Sequence, residues 1–130
     1  MIIYGQAGSG KSEIIKAILE DLKNKCLVAC FSAKAGFGIG GSTLHSLIKI
    51  QLADLANPKP LTPKQLEQIQ QSFEGVTTLI IDEIGMIGKL FLWHINYNLQ
   101  QALDPIERKP FGGLNVILVG DHHQLKPIGD

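Results

Sequence analysis

Apolar residues along the chain alternate between short β-prone runs and stretches at helical spacing. Met1-Ile2-Ile3-Tyr4, Cys26 to Ser32, Val76 to Glu83 and Asn115 to Val119 read as strands, apolar enough to be buried on both faces. Ser12 to Leu22 sets Ile14, Ile18 and Leu22 in one helical row, and Ser42 to Leu52 does the same with Leu44, Leu47, Ile48 and Leu52. Gly88 to Leu103 predicts a longer helix with Leu92, Ile95, Leu99 and Ala102 inward and with Trp93 and Tyr97 packing rather than binding a ligand. Thr62 predicts an N-cap, with Pro63 at the first helical position and Gln65 completing a capping box. That helix, to about Ser72, is mostly polar and is expected to be a surface connector without chemistry. Strands alternating with helices imply one α/β domain, with a parallel sheet covered on both faces and ligands at the carboxyl ends of the strands.

The chemistry sits at those ends. Gly5-Gln6-Ala7-Gly8-Ser9-Gly10-Lys11-Ser12 fits GxxxxGK[ST] between the first strand and the first helix. The glycines let successive N–H groups turn inward, and the helix beginning near Lys11 adds its positive end, which makes a nest for phosphate oxygens. Lys11 is expected to reach the β- and γ-phosphates, and the Ser12 hydroxyl to ligate the magnesium that accompanies the nucleotide. The third strand ends in Asp82-Glu83, one carboxylate to hold magnesium and one to position or deprotonate an attacking water. Gln124, after the fourth strand, can donate and accept, which suits a γ-phosphate sensor. His122 and His123 are adjacent on an extended segment and point to opposite sides, so they are not expected to share a metal.

Composition changes this picture little. A length of 130 residues suits one domain, and 12 basic against 12 acidic side chains leave no global positive field, so any nucleic-acid contact must rest on local donors. No apolar run is long enough to span a bilayer and no signal-peptide pattern is present, so a soluble intracellular protein is expected, cytoplasmic, or nuclear or mitochondrial in a eukaryote. Cys26 and Cys30 share one strand face without zinc-ligand spacing and read as buried free thiols. Arg108 is the sole arginine, against which a small-molecule phosphotransferase with arginines closing over its substrate fits poorly.

GQAGSGKS, FGIGGSTLHSL, LIIDEIGM and PFGGLNVILVGDHHQLKPI, in this order, resemble the motifs of superfamily 1 helicases of the 5′-to-3′ branch, particularly the Pif-type DNA helicases and their RecD-like relatives. The resemblance covers essentially the whole chain. It implies a three-layer α/β/α RecA-like domain of the P-loop NTPase class, with a mainly parallel sheet and the fourth strand between the first and third. It implies that Lys11, Ser12, Asp82, Glu83 and Gln124 serve ATP and Mg2+, that Thr43 and His45 touch single-stranded DNA, and that the parent protein works in genome maintenance such as repair, recombination or telomere maintenance. Read from the residues alone, Ser42 or Thr43 equally caps a helix and His45 packs beside it.

The chain departs from the family pattern at Cys30-Phe31-Ser32-Ala33, where an APTG-type run is usual, at Gly85 in place of a serine and at Lys126 in place of a proline. Residues 1–130 are expected to be a single, partial N-terminal RecA-like domain of such a helicase. The second RecA-like domain, which in the family supplies further arginines to the ATP site, is not matched, and Arg108 fits no such finger. The expected function is the ATP-binding and hydrolysing half of an ATP-dependent DNA helicase. The rival is a non-catalytic nucleotide-binding module that docks with a separate chain.

Overall fold

The computed structural model describes residues 2–4, 11–31, 42–51 and 55–120, with the backbone alone at 2–4, 11 and 12. In chain order the elements are β1 (Ile2–Tyr4), α1 (Lys11–Leu22), β2 (Cys26–Cys30), β3 (Ser42–Thr43), α2 (Leu44–Ile48), α3 (Pro63–Ser72), β4 (Thr78–Asp82), α4 (Lys89–Leu103) and β5 (Asn115–Gly120). The sheet runs β1-β5-β4-β2-β3 with every neighbouring pair parallel. The strand expected between the first and third is therefore there, as β5 between β1 and β4. β3, a two-residue edge strand beside β2, was not foreseen.

The chain crosses the sheet one way from β1 through β2 to β3, then returns through β4 to β5. Right-handed crossovers place the helices of the two journeys on opposite faces. The core shows this directly. Cys26, Val28, Cys30, Ile80 and Val119 pack with Ile15 of α1 on one face. Ala29, Leu79 and Ile81 pack on the other with Leu44, Ile48, Ile69, Phe91, Ile95 and Leu99. Successive strand residues go to opposite clusters, as the two-residue period of a strand requires. The arrangement is the three-layer α/β/α sandwich expected.

Local signals held where chemistry is local. Thr62 Oγ1 accepts from Gln65 N at 3.2 Å while Gln65 Oε1 accepts from Thr62 N at 3.0 Å, so the capping box is complete. α3 is more than a connector, however: Ile69 and Phe73 are buried, and Gln70 Nε2 donates to Ala102 O at 2.9 Å. α2 is shorter than the apolar row predicts. Lys49 takes a left-handed φ of 59° and ends it, while Ile50 turns into the core at 2% exposure; Leu52 lies outside the described residues. β2 likewise ends at Cys30, two residues early, and β4 begins at Thr78 and ends at Asp82.

α4 ties the loops to the core through polar side chains. Asn98 Nδ2 donates to Ile48 O at 2.9 Å, His94 Nε2 pairs with Leu55 O at 3.2 Å, and Asn96 Oδ1 accepts from Phe111 N at 2.7 Å. Buried Asn98 and His94 are thus satisfied by carbonyls that α2 and its following loop leave unpaired. At Gly112, with φ +66°, an added Cβ would stand 2.7 Å from Leu99 O, so only glycine lets the 110–113 turn lie against α4.

Candidate nucleotide site at the carboxyl edge of the sheet

β1 leads to a helix on one face and β4 to a helix on the other. Connections leaving their carboxyl ends diverge, and a crevice opens across the end of β5 between them. Register fixes the levels. Tyr4 pairs with Gly120 and Ile81 with Leu118, so Glu83 leaves β4 at the level of Gly120. At the usual strand spacing, β4 stands about 10 Å from β1. The two carboxylates therefore emerge within the span of a nucleotide phosphate chain from the point where Tyr4 opens into the glycine-rich segment.

Asp82 is the last residue of β4, and Glu83 turns out of the strand with φ 59° and ψ 41°. A left-handed backbone is uncommon for a side chain of this size and marks a locally held conformation. The hold is visible: Asp82 Oδ1 accepts from Glu83 N at 2.7 Å. Both side chains are half-buried. The 84–86 turn that follows lies over the end of β5, where a Cβ at Gly120 would collide with the Ile84 side chain. Gly120 is a positioning requirement that the sequence reading passed over, because its reason lies 36 residues away in the chain.

Thr43, Cys30 and Asp82 form one row across β3, β2 and β4, because Cys30 is the register partner of both others. Burial pushes the Cys30 thiol up to about 12, with the charges of Asp82 and then Glu83 adding to the rise. Cys26, farther from the carboxylates, is raised by burial alone. Both are free buried thiols, as expected.

The two readings of Thr43 and His45 meet here. Thr43 Oγ1 accepts from Ser46 N at 3.2 Å and caps α2. His45 sits in an aromatic triad, 5.5 Å from the Phe31 ring and 5.4 Å from the Phe91 ring, with those two 5.6 Å apart. Each residue has a structural role, and each is half-buried. The triad joins residues far apart in sequence, so no local pattern could announce it. Trp93 is the other surprise: it packs on Tyr97 as expected, yet it is 48% exposed.

Lys11 and Ser12 form the first two residues of α1, the place the motif assigns them. Gly5, Gln6, Ala7, Gly8, Ser9, Gly10 and Gln124 lie outside the described residues, as do His122, His123 and Lys126. Among the described residues no helix is long and apolar enough to cross a membrane.

Known proteins share this arrangement. The human ATP-dependent DNA helicase PIF1 is 33% identical over 131 residues, covering 95% of this chain and 19% of the relative. A crystal structure of Bacteroides Pif1 bound to ssDNA superposes with a TM-score of 0.80 at 31% identity, covering all of this chain and 30% of that one. A crystal structure of Bacteroides sp Pif1 in complex with ADP-AlF4 gives 0.81 at 32% identity, covering 99% and 30%. The chain thus spans about a fifth of its human relative and under a third of the two solved chains. The family model described as PIF1-like helicase matches residues 1–130, and with a sheet, a crevice and a carboxylate pair of this form the chain belongs to the PIF1-like helicase family.

Proposed function

We propose that this chain is the N-terminal RecA-like, ATP-hydrolysing domain of an ATP-dependent 5′-to-3′ DNA helicase. The observation that carries the reading is the pair Asp82-Glu83 leaving β4 two strands from the point where β1 opens into GQAGSGKS, in a fold shared with a Pif1 solved with ADP-AlF4. In this reading the backbone of Gly5 to Gly10 and the Lys11 ammonium bind the phosphates of ATP. A hydroxyl and a carboxylate are hard oxygen donors, so Ser12 and Asp82 suit Mg2+, which when bound neutralises charge on the β- and γ-phosphates. Glu83 orients the attacking water in line with the γ-phosphate and takes its proton; the left-handed turn aims that carboxylate off the strand axis. Gln124 senses the γ-phosphate. Thr43, at the far end of the row from Asp82, and His45, in α2, contact single-stranded DNA with a hydroxyl and an imidazole, which needs no net positive charge. A second RecA-like domain in the parent protein supplies the arginines and the moving half needed for unwinding.

ATP hydrolysis with and without single-stranded DNA, at matched salt, tests this. DNA-stimulated turnover that falls by about a hundredfold or more in Glu83→Gln, with ATP binding kept, is the expected result. Turnover unchanged in Glu83→Gln removes that residue from the mechanism. Binding of Mg-ATP without turnover in the unaltered chain places hydrolysis in the longer protein. Loss of ATP binding in Lys11→Ala checks the phosphate loop alone.

A further inference from the structure

Glu83 leaves β4 in a left-handed conformation, and the turn after it closes through Met86 N donating to Glu83 O at 2.9 Å and Ile87 N donating to Ile84 O at 3.0 Å. Ile87 is buried with the residues of α2, α3 and α4, which anchors the far end of the turn. Its near end rests on β5 through Ile84. A Cβ built on Gly120 would overlap Ile84 Cγ2, whereas the next atoms it would meet, Ile84 Cβ and N, stand at 3.4 Å, an ordinary contact. Gly120 does not take a positive φ, so its backbone conformation makes no demand for glycine. Among the described residues the demand comes from one methyl group of Ile84. A side chain branched at Cβ has few rotamers to escape into, so an intruding methyl must displace the turn.

Gly120 is the register partner of Tyr4, the last residue before GQAGSGKS, and β5 lies between β1 and β4. Ile84 therefore packs on the strand that separates the carboxylates from the phosphate loop. In-line attack tolerates little error: about 1 Å of misplacement costs on the order of a hundredfold in rate. Relieving the overlap with a Cβ at Gly120 requires a shift of about that size. We propose, resting on the role given above to Glu83, that Ile84 is a positioning residue for ATP hydrolysis: seated on the bare backbone of Gly120, it fixes the turn from which Glu83 reaches the attacking water. A purely space-filling Ile84 would alter stability and nucleotide affinity alike, and would not act on the transition state selectively.

Gly120→Ala, alone and with Ile84→Ala, tests this in the chain as it stands, with ADP and with ADP plus aluminium fluoride, both in Mg2+. The fluoride complex mimics the γ-phosphate under attack, so its extra affinity over ADP reads the placement of Glu83. Gly120→Ala is expected to keep ADP affinity within about twofold and to lose that extra affinity by about tenfold or more. The amides of Met86 and Ile87 should exchange about tenfold or more faster, a readout that needs no nucleotide. Adding Ile84→Ala removes the overlapping methyl and leaves the 3.4 Å contact, so the double variant should regain most of both losses. Adding Ile84→Val instead, which keeps Cγ2, should regain neither. Unchanged turn amides in Gly120→Ala overturn the proposal, as does an equal loss of ADP and of the fluoride complex, or a double variant no better than Gly120→Ala. If Glu83→Gln loses the preference for the fluoride complex while Gly120→Ala keeps it, the assignment of Ile84 alone fails. If Glu83→Gln binds both ligands as the unaltered chain does, the role of Glu83 fails and the positioning role falls with it.

Discussion

The two faces of the sheet are built to different depths. On one, α1 alone among the described residues covers Cys26, Val28, Cys30, Ile80 and Val119, and of its described side chains only Ile15 is fully inserted. On the other, α2, α3 and α4 bury a cluster running from Leu44 to Ala102, and α4 fastens the end of α2 and two loops through Asn98, His94 and Asn96. The thin face carries the helix that begins with Lys11 and Ser12; among the described residues the thick face carries none of those proposed to bind the phosphates. In the proposed function, a helix packed through one fully inserted side chain adjusts to a nucleotide at low cost, while the layer behind the sheet keeps the carboxylates of β4 in place. The carboxylates stand where the layers meet: Ile81, before Asp82, packs into the thick layer and Ile80 into the thin one.

The largest expected effect tests the thick layer. Phe91→Ala removes a side chain that is 2% exposed and also touches Phe31 and His45, so it should cost about 3–5 kcal/mol in denaturant unfolding. A cost below about 1 kcal/mol would mean the layer is not packed as described. Ile15→Ala should cost less, about 2–3 kcal/mol, because the side chain removed is smaller than that of Phe91. In hydrogen exchange, the amides of α1 should open at lower free energy than those of α4; equal protection would erase the contrast between the faces. Gly112→Ala, which forces a Cβ against Leu99 O at positive φ, should lose about 1–3 kcal/mol, checked by the same unfolding curve. Thr43→Ala, removing the α2 cap, should cost about 1 kcal/mol, and no change would make the cap ornamental.

One effect shows only under alkaline conditions. The Cys30 thiol is raised in the folded state from the ordinary 9.0 to about 12, so its contribution to stability is complete below pH 9. As pH rises past 9 the unfolded chain loses that proton while the folded chain keeps it, and stability should fall until about pH 12. Cys30→Ala should flatten this alkaline decline in unfolding curves taken across the window. An identical slope in the variant would assign the decline to other groups. The same shift predicts that Cys30 resists alkylation at neutral pH until the chain unfolds.

Strands, helices and the α3 cap were legible in the sequence because each depends on residues a few positions apart. The helix starting near Lys11 and a strand that delivers Asp82 and Glu83 follow from apolar spacing and a phosphate-loop pattern, though that strand ends one residue before the Glu83 expected. The order of the strands was legible only through resemblance to a family. Where local pattern misled, tertiary contact had the final say. The apolar row from Leu44 to Leu52 promises a longer helix, but Ile50 gains more by entering the core than by continuing the helix. α3 looks polar, yet Ile69 and Phe73 suffice to bind it to the thick layer.

By itself, then, the sequence determined the kinds of element, their sequence along the chain, and the residue types delivered to the carboxyl ends of β1 and β4. Those are properties of short stretches, set by backbone propensity, side-chain period and capping. Only the tertiary structure decided that Thr43, Cys30 and Asp82 share a row, that Gly120 must lack a side chain for the turn after Glu83 to settle, that His45 lies between two phenylalanines, and that Trp93 stays in water. Each of these depends on which surfaces meet when distant segments pack, and packing is settled by the whole core at once.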